Sequence, residues 1–141
     1  LCIAEPGVLS QMVSLYGTYG CSVVAVEEVP NKDTKKYGVI DGDEIGQGVF
    51  RIYSMIEKPE PEKAPSNLAI IGRYILTPDI FSILENLGPG AGGEIQLTDA
   101  ISAQSKDNMV IGFKFTGRRF DCGTLNGFVE ATNVVFGGIG S

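Results

Sequence analysis

Residues Cys21 to Val29 form a nearly unbroken apolar run rich in β-branched valine. A segment without polar alternation has no face to turn to water, so it predicts a central strand covered on both sides. Glu27, Glu28 and Pro30 close it. Before it, Val8, Leu9, Met12, Val13 and Tyr16 follow helical spacing and Gly20 supplies a stop, which predicts a helix packed on the sheet.

The pattern alternates onward. Tyr37-Gly38-Val39-Ile40 is extended, Asp41-Gly42-Asp43 reads as a turn, and Ile45 to Gly48 as a short loop before Val49 to Tyr53. This predicts a hairpin over Tyr37 to Ile56 whose second strand delivers Glu57 and Lys58. Leu68 to Leu76 is a further strand interrupted by Gly72. Thr77 is expected to cap, and Pro78 to start, a helix burying Ile80, Phe81, Leu84 and Leu87. Gly88 to Gly93 is a loop without the lysine and hydroxyl of a P-loop. Glu94 to Ala100 enters another helix, with Leu97, Ala100 and Ile101 inward and polar residues at its start as caps. Met109 to Phe115 is the last clear strand. Thr124 is expected to cap a final helix carrying Leu125, Phe128, Val129 and Thr132 on one side. The segment 137–141 is too glycine-rich to continue it and reads as a flexible tail. Without an internal repeat, residues 1–136 read as part of one α/β domain.

Charge and composition narrow the chemistry. The 141 residues carry 11 basic and 17 acidic side chains, a net charge of −6, which argues against a nucleic-acid groove. No apolar stretch is long enough to span a bilayer and no signal-peptide pattern is present, so no membrane partner and a cytoplasmic location are expected. Cys2, Cys21 and Cys122 lack paired short spacings and read as reduced thiols, Cys122 as a small buried filler. Histidine is absent, which removes Ser-His-Asp, Cys-His and histidine-metal chemistry. Carboxylates, lysine, arginine, backbone groups or a hard metal ion must do any catalysis.

The run Ser54-Met55-Ile56-Glu57-Lys58-Pro59 places an acid and a base at a strand end. Pro59 biases Lys58 toward extended geometry. A lysine there meets a phosphate as a point charge, and a carboxylate accepts hydrogen bonds from adjacent sugar hydroxyls. A solvated ion pair is the alternative for these two residues. Gly38 is either a strand irregularity or a place where a ligand approaches the backbone. Asp121, by itself, caps the helix from Thr124 or binds nothing, and Arg118 and Arg119 are surface charges or phosphate ligands.

Tyr37-Gly38-Val39, Ile56-Glu57-Lys58-Pro59, Ser66-Asn67-Leu68-Ala69, Gly72-Arg73-Tyr74, Gly93 to Ala100 and Asp121-Cys122-Gly123 occur in an order that closely resembles the second half of bacterial UTP:glucose-1-phosphate uridylyltransferases. The resemblance implies a partial Rossmann-like nucleotidyltransferase fold, a mixed, mostly parallel sheet with flanking helices. It also implies the magnesium-dependent conversion of UTP and glucose 1-phosphate to UDP-glucose and diphosphate. By position, it makes Lys58 the ligand of the sugar phosphate, Glu57 the partner of glucose hydroxyls, Gly38 a backbone wall against the sugar, and Asp121 a magnesium ligand. A sugar phosphate oxygen is already anionic, so its attack needs positioning and charge neutralisation rather than a base.

The family's glycine-rich nucleotide loop and its second metal-binding aspartate are not in this sequence. The expectation is therefore a sugar-phosphate-binding half, inactive when isolated, whose open sheet edges favour a homo-oligomer. A non-catalytic sugar-phosphate-binding or assembly module, and another sugar-nucleotide pyrophosphorylase such as a thymidylyltransferase, are the alternatives.

Overall fold

In the computed structural model, which describes residues 1–89 and 93–139, the valine run is strand β2, Ser22–Glu28, with Ser22 to Val26 all buried. Residues 1–11 with 116–141 make one unit, and residues 12–115 the other.

In the larger unit β2 is joined by β3 (Gly38–Gly46), β4 (Val49–Glu57), β5 (Leu68–Ile75) and β6 (Val110–Lys114). The strands close a hydrogen-bonded circuit in the order β2-β5-β3-β4-β6. The sheet is mixed, but the expected dominance of parallel pairs is not found. Only β2 and β6 run parallel, and the other four pairings are antiparallel. For β3 and β4 the reason is local: the two-residue connection Gln47-Gly48 can join only antiparallel strands. Each of these strands has two neighbours, so the larger unit lacks the open edges expected from sequence.

The hairpin Tyr37 to Ile56 forms, although its turn is not at Asp41-Gly42-Asp43. Strand β3 continues through those residues with an irregularity between Asp41 and Gly42. A Cβ on Gly42 would stand 2.2 Å from the Arg51 carbonyl oxygen, so only glycine lets the strand pass. In β5, Gly72 has φ +76° where the register against β2 slips, which is the expected interruption.

Helices α2 (Ile80–Asn86) and α3 (Leu97–Asp107) cover one side of this sheet. Val24, Val26, Ile40, Ile52, Ile70, Ile80 and Ile101 belong to one cluster. Full burial of each aliphatic side chain contributes about 1.5–3 kcal/mol, enough for Ile101 to anchor α3. Two hydrogen bonds fix α3 against β4, from the Met55 N–H to Ser102 Oγ at 3.4 Å and from Ser105 Oγ to the Tyr53 carbonyl at 2.9 Å. Phe81, expected inside, is exposed. Thr77 does not cap α2; its hydroxyl donates to the Asp79 carboxylate and accepts from Gln104 Nε2 at 2.8 Å.

The smaller unit pairs β1 (Cys2–Ile3) with β7 (Arg118–Arg119) antiparallel. Helix α1 (Val8–Tyr19) begins here, and its Gln11 side chain bonds the Thr116 carbonyl at 2.9 Å and N–H at 3.1 Å. Of the apolar stripe read along α1, Val8 and Met12 are buried, while Leu9, Val13 and Tyr16 are exposed. Helix α4 (Leu125–Ile139) runs through Gly137 and Gly138, past the stop expected there; residues 140 and 141 lie outside the described residues. Leu125, Phe128 and Val129, read as one side of this helix, are exposed, and Cys122, expected inside, is exposed as well. Among the described residues no helix is long and apolar enough to cross a membrane.

Candidate functional site

Strand pairing sets Gly38, at the start of β3, directly opposite Glu57, at the end of β4. A Cβ on Gly38 would lie 3.1 Å from Glu57 Oε2, 3.0 Å from Thr98 Cγ2 and 3.0 Å from Ile70 Cδ1. The glycine backbone is thus walled by a carboxylate oxygen and by the methyl carbons of Thr98 and Ile70. A side chain at Gly38 would have to displace these three side-chain ends by a few tenths of an ångström.

Lys58 follows at the strand end, its N–H donating to the Tyr37 carbonyl at 2.9 Å. Its geometry is not the extended one expected before proline. Lys58 has φ +47° and is the one non-glycine residue on the left-handed side among the described residues. Such a conformation costs an L-residue about 1–2 kcal/mol, and strain of this kind gathers at functional sites. The side chain is exposed and makes no ion pair among the described residues. Glu57 and Lys58 therefore do not form the solvated pair that was the alternative.

Two residues to which the sequence assigned no site role join this group. Thr98, in the first turn of α3, is buried and its hydroxyl has no hydrogen-bond partner among the described residues. The polar start of α3 was expected to cap the helix, but Gln96 at the cap position makes no side-chain cap bond either. An unpaired buried hydroxyl costs about 1–3 kcal/mol, and the Thr98 hydroxyl shares this state with Gln104 Oε1 among the described residues. Tyr74 on β5 is held protonated: burial first, and then the Glu57 charge, raise its phenol above the ordinary value. Both lie in stretches that carry the resemblance, but by themselves Thr98 looked like a cap and Tyr74 like one more strand aromatic. Part of the loop Gly88 to Gly93, residues 90–92, lies outside the described residues.

Asp121 belongs to the smaller unit. It is exposed, and its Oδ1 accepts the Gly123 N–H at 3.1 Å. It does not cap α4; that part falls to Thr124, as expected, whose Oγ1 accepts the Gly127 N–H at 3.1 Å. Arg118 is occupied by Glu130 at 2.6 Å and stacks on Phe120, which fits a structural charge.

Among the described residues no group of three or more His, Cys, Asp or Glu side chains could hold a metal ion. Asp121 offers one hard carboxylate. That suits magnesium, which takes one or two carboxylates and fills its remaining positions with phosphate oxygens and water.

The family model described as Nucleotidyl transferase matches residues 5–136. A UTP--glucose-1-phosphate uridylyltransferase of Pseudomonas aeruginosa is 62% identical over 130 residues, covering 92% of this chain and 47% of that protein. A crystal structure of UDP-glucose pyrophosphorylase complexed with UDP-glucose superposes with a TM-score of 0.92 at 53% identity, covering 96% of this chain and 52% of the other. The UTP-bound enzyme from Acinetobacter baumannii gives 0.77 at 34% identity, over 93% of this chain and 46% of that one. The chain spans about half the length of the curated relatives it matches. Its α/β architecture with a mixed sheet agrees with these relatives, and with a family match over nearly all of its length the chain belongs to the nucleotidyl transferase family.

Proposed function

We propose that this chain supplies the sugar-phosphate side of a UTP:glucose-1-phosphate uridylyltransferase. In that reaction a phosphate oxygen of glucose 1-phosphate attacks the α-phosphorus of UTP. A new P–O bond forms, the bond to the β-phosphate breaks, and diphosphate leaves with the electron pair. The observation that carries the reading is the backbone of Gly38 enclosed by Glu57, Thr98 and Ile70, with Lys58 next along the chain.

Each residue has a task suited to its chemistry. The bare backbone at Gly38 lets a sugar ring approach, Glu57 accepts hydrogen bonds from adjacent hydroxyls, and the Thr98 hydroxyl gains the partner it lacks. The Lys58 ammonium offsets the charge of the sugar phosphate and orients it. The attacking oxygen is anionic near neutral pH, so these residues position it and need take no proton. Asp121 would hold magnesium, which when bound neutralises charge on phosphate oxygens.

The partial Rossmann-like character of the fold, the choice of uridine, a cytoplasmic location and a homo-oligomer belong to the same reading. Support for the oligomer comes from the exposed apolar side chains of α4, now that the larger unit shows no open sheet edge. Sedimentation equilibrium at micromolar concentration tests it, and a clean monomer would count against it.

Titration calorimetry with UDP-glucose tests the site. A hydrogen bond to a charged group contributes about 1.5–3 kcal/mol, so Glu57→Gln and Lys58→Ala should each weaken binding roughly tenfold or more. Equal affinity in all three proteins would remove the assignment. Diphosphate release from UTP and glucose 1-phosphate by the 141-residue chain should be far below that of a full-length relative.

A further inference from the structure

Gly127 sits in the first turn of α4, where glycine weakens a helix and therefore needs a reason. The reason lies six residues back. A Cβ on Gly127 would stand 2.1 Å from the Asp121 carbonyl oxygen and 2.8 Å from its carbonyl carbon. These are backbone atoms that cannot swing aside, so any side chain would push the Asp121 segment off the helix. The same carbonyl is gripped from the helix itself. It accepts the Thr124 N–H at 3.2 Å and the Thr124 hydroxyl at 3.0 Å, and that hydroxyl in turn accepts the Gly127 N–H at 3.1 Å.

We propose that Gly127 and Thr124 are positioning residues for Asp121: they seat its backbone carbonyl on the first turn of α4 and so fix where its carboxylate stands for a divalent cation. The proposal rests on the reading of Asp121 as a metal-holding carboxylate. Two hydrogen bonds on one carbonyl, with the helix backbone at Gly127 packed against it, leave the peptide group little rotational freedom. The short turn closed by the Gly123 N–H on Oδ1 then sets the direction of the side chain. A carboxylate held in this way meets a cation without first losing conformational entropy, which is the benefit of preorganisation.

The helix supplies its own control. Gly137 lies farther along α4 with nothing within 4 Å of where its Cβ would be. Alanine at that position should raise helix stability and leave Asp121 untouched.

The test uses manganese as a paramagnetic stand-in for magnesium and follows broadening of the Cys122 and Gly123 amide signals in the full 141-residue chain. In the unaltered chain, broadening should centre on these amides and vanish with Asp121→Ala. Gly127→Ala should require at least threefold more manganese for half-broadening, with the helical circular dichroism of α4 retained, while Gly137→Ala should match the unaltered chain. Thr124→Ala removes the hydroxyl grip without adding an atom, so it should shift the requirement in the same direction even if Gly127→Ala does not fold. If Asp121→Ala abolishes broadening while Gly127→Ala or a folded Thr124→Ala responds as the unaltered chain does, the positioning role is overturned and the metal reading stands. Broadening indifferent to Asp121→Ala would overturn both.

Discussion

Glu57 Oε2 stands 3.1 Å from the point where Gly38 would carry a side chain, and the two residues are partners across the β3–β4 ladder. The hairpin register therefore aims a carboxylate along bare backbone, an arrangement that a one-residue slip would destroy by turning Glu57 to the other face.

Gly38→Ala tests that contact. The added methyl meets two carbon atoms and a carboxylate oxygen at 3.0–3.1 Å, so packing must give way. A loss of about 1–3 kcal/mol in denaturant unfolding is expected, together with weakened UDP-glucose binding. Unchanged affinity would show that the bare backbone serves packing alone.

Thr98→Val exchanges an unpaired buried hydroxyl for a methyl of similar shape. The free protein should become more stable by roughly 1 kcal/mol, because the desolvation cost of that hydroxyl disappears. Sugar-phosphate affinity should fall at the same time. A variant that is less stable and binds equally well would contradict the reading of Thr98 as a ligand contact.

Lys58→Gly separates strain from charge. Glycine adopts positive φ without penalty, so the left-handed cost of about 1–2 kcal/mol is removed and offset in part by glycine's greater entropy when unfolded. Stability should hold or rise in thermal unfolding while binding of glucose 1-phosphate is lost. A marked fall in melting temperature would mean that the Lys58 side chain supports the fold.

Acid sensitivity should trace in part to Asp79. The Thr77 hydroxyl first, and then the Gln104 amide, lower its carboxyl below the ordinary 3.8. A group depressed in the folded state adds stability that is fully present above its unfolded value and is lost as pH falls through the folded one. Asp79→Asn should therefore show a flatter decline than the unaltered chain below about pH 4. Parallel curves would remove Asp79 from the acid response.

What could be read in advance follows from how local each signal is. The valine run of β2, the hairpin ending in Glu57, and the interrupted strand at Gly72 depend on side-chain pattern and turn chemistry within a few residues. The helix-facing positions transferred less well. Phe81, Leu125 and Phe128 have helical spacing yet are exposed, because periodicity reports that a stripe exists and not whether a partner covers it.

The sequence alone determined that this chain is an α/β protein, that Gly38, Glu57 and Lys58 are worth examining together, and that histidine chemistry is absent. Tertiary structure decided the rest. It closed the five-strand circuit with one parallel pair, brought the Thr98 side chain from α3 against Gly38 through its methyl group, set Tyr74 under the influence of Glu57, and turned Lys58 to positive φ. Those facts depend on contacts between residues far apart in the chain, whose energies appear only once strands and helix are packed, so no local pattern could announce them.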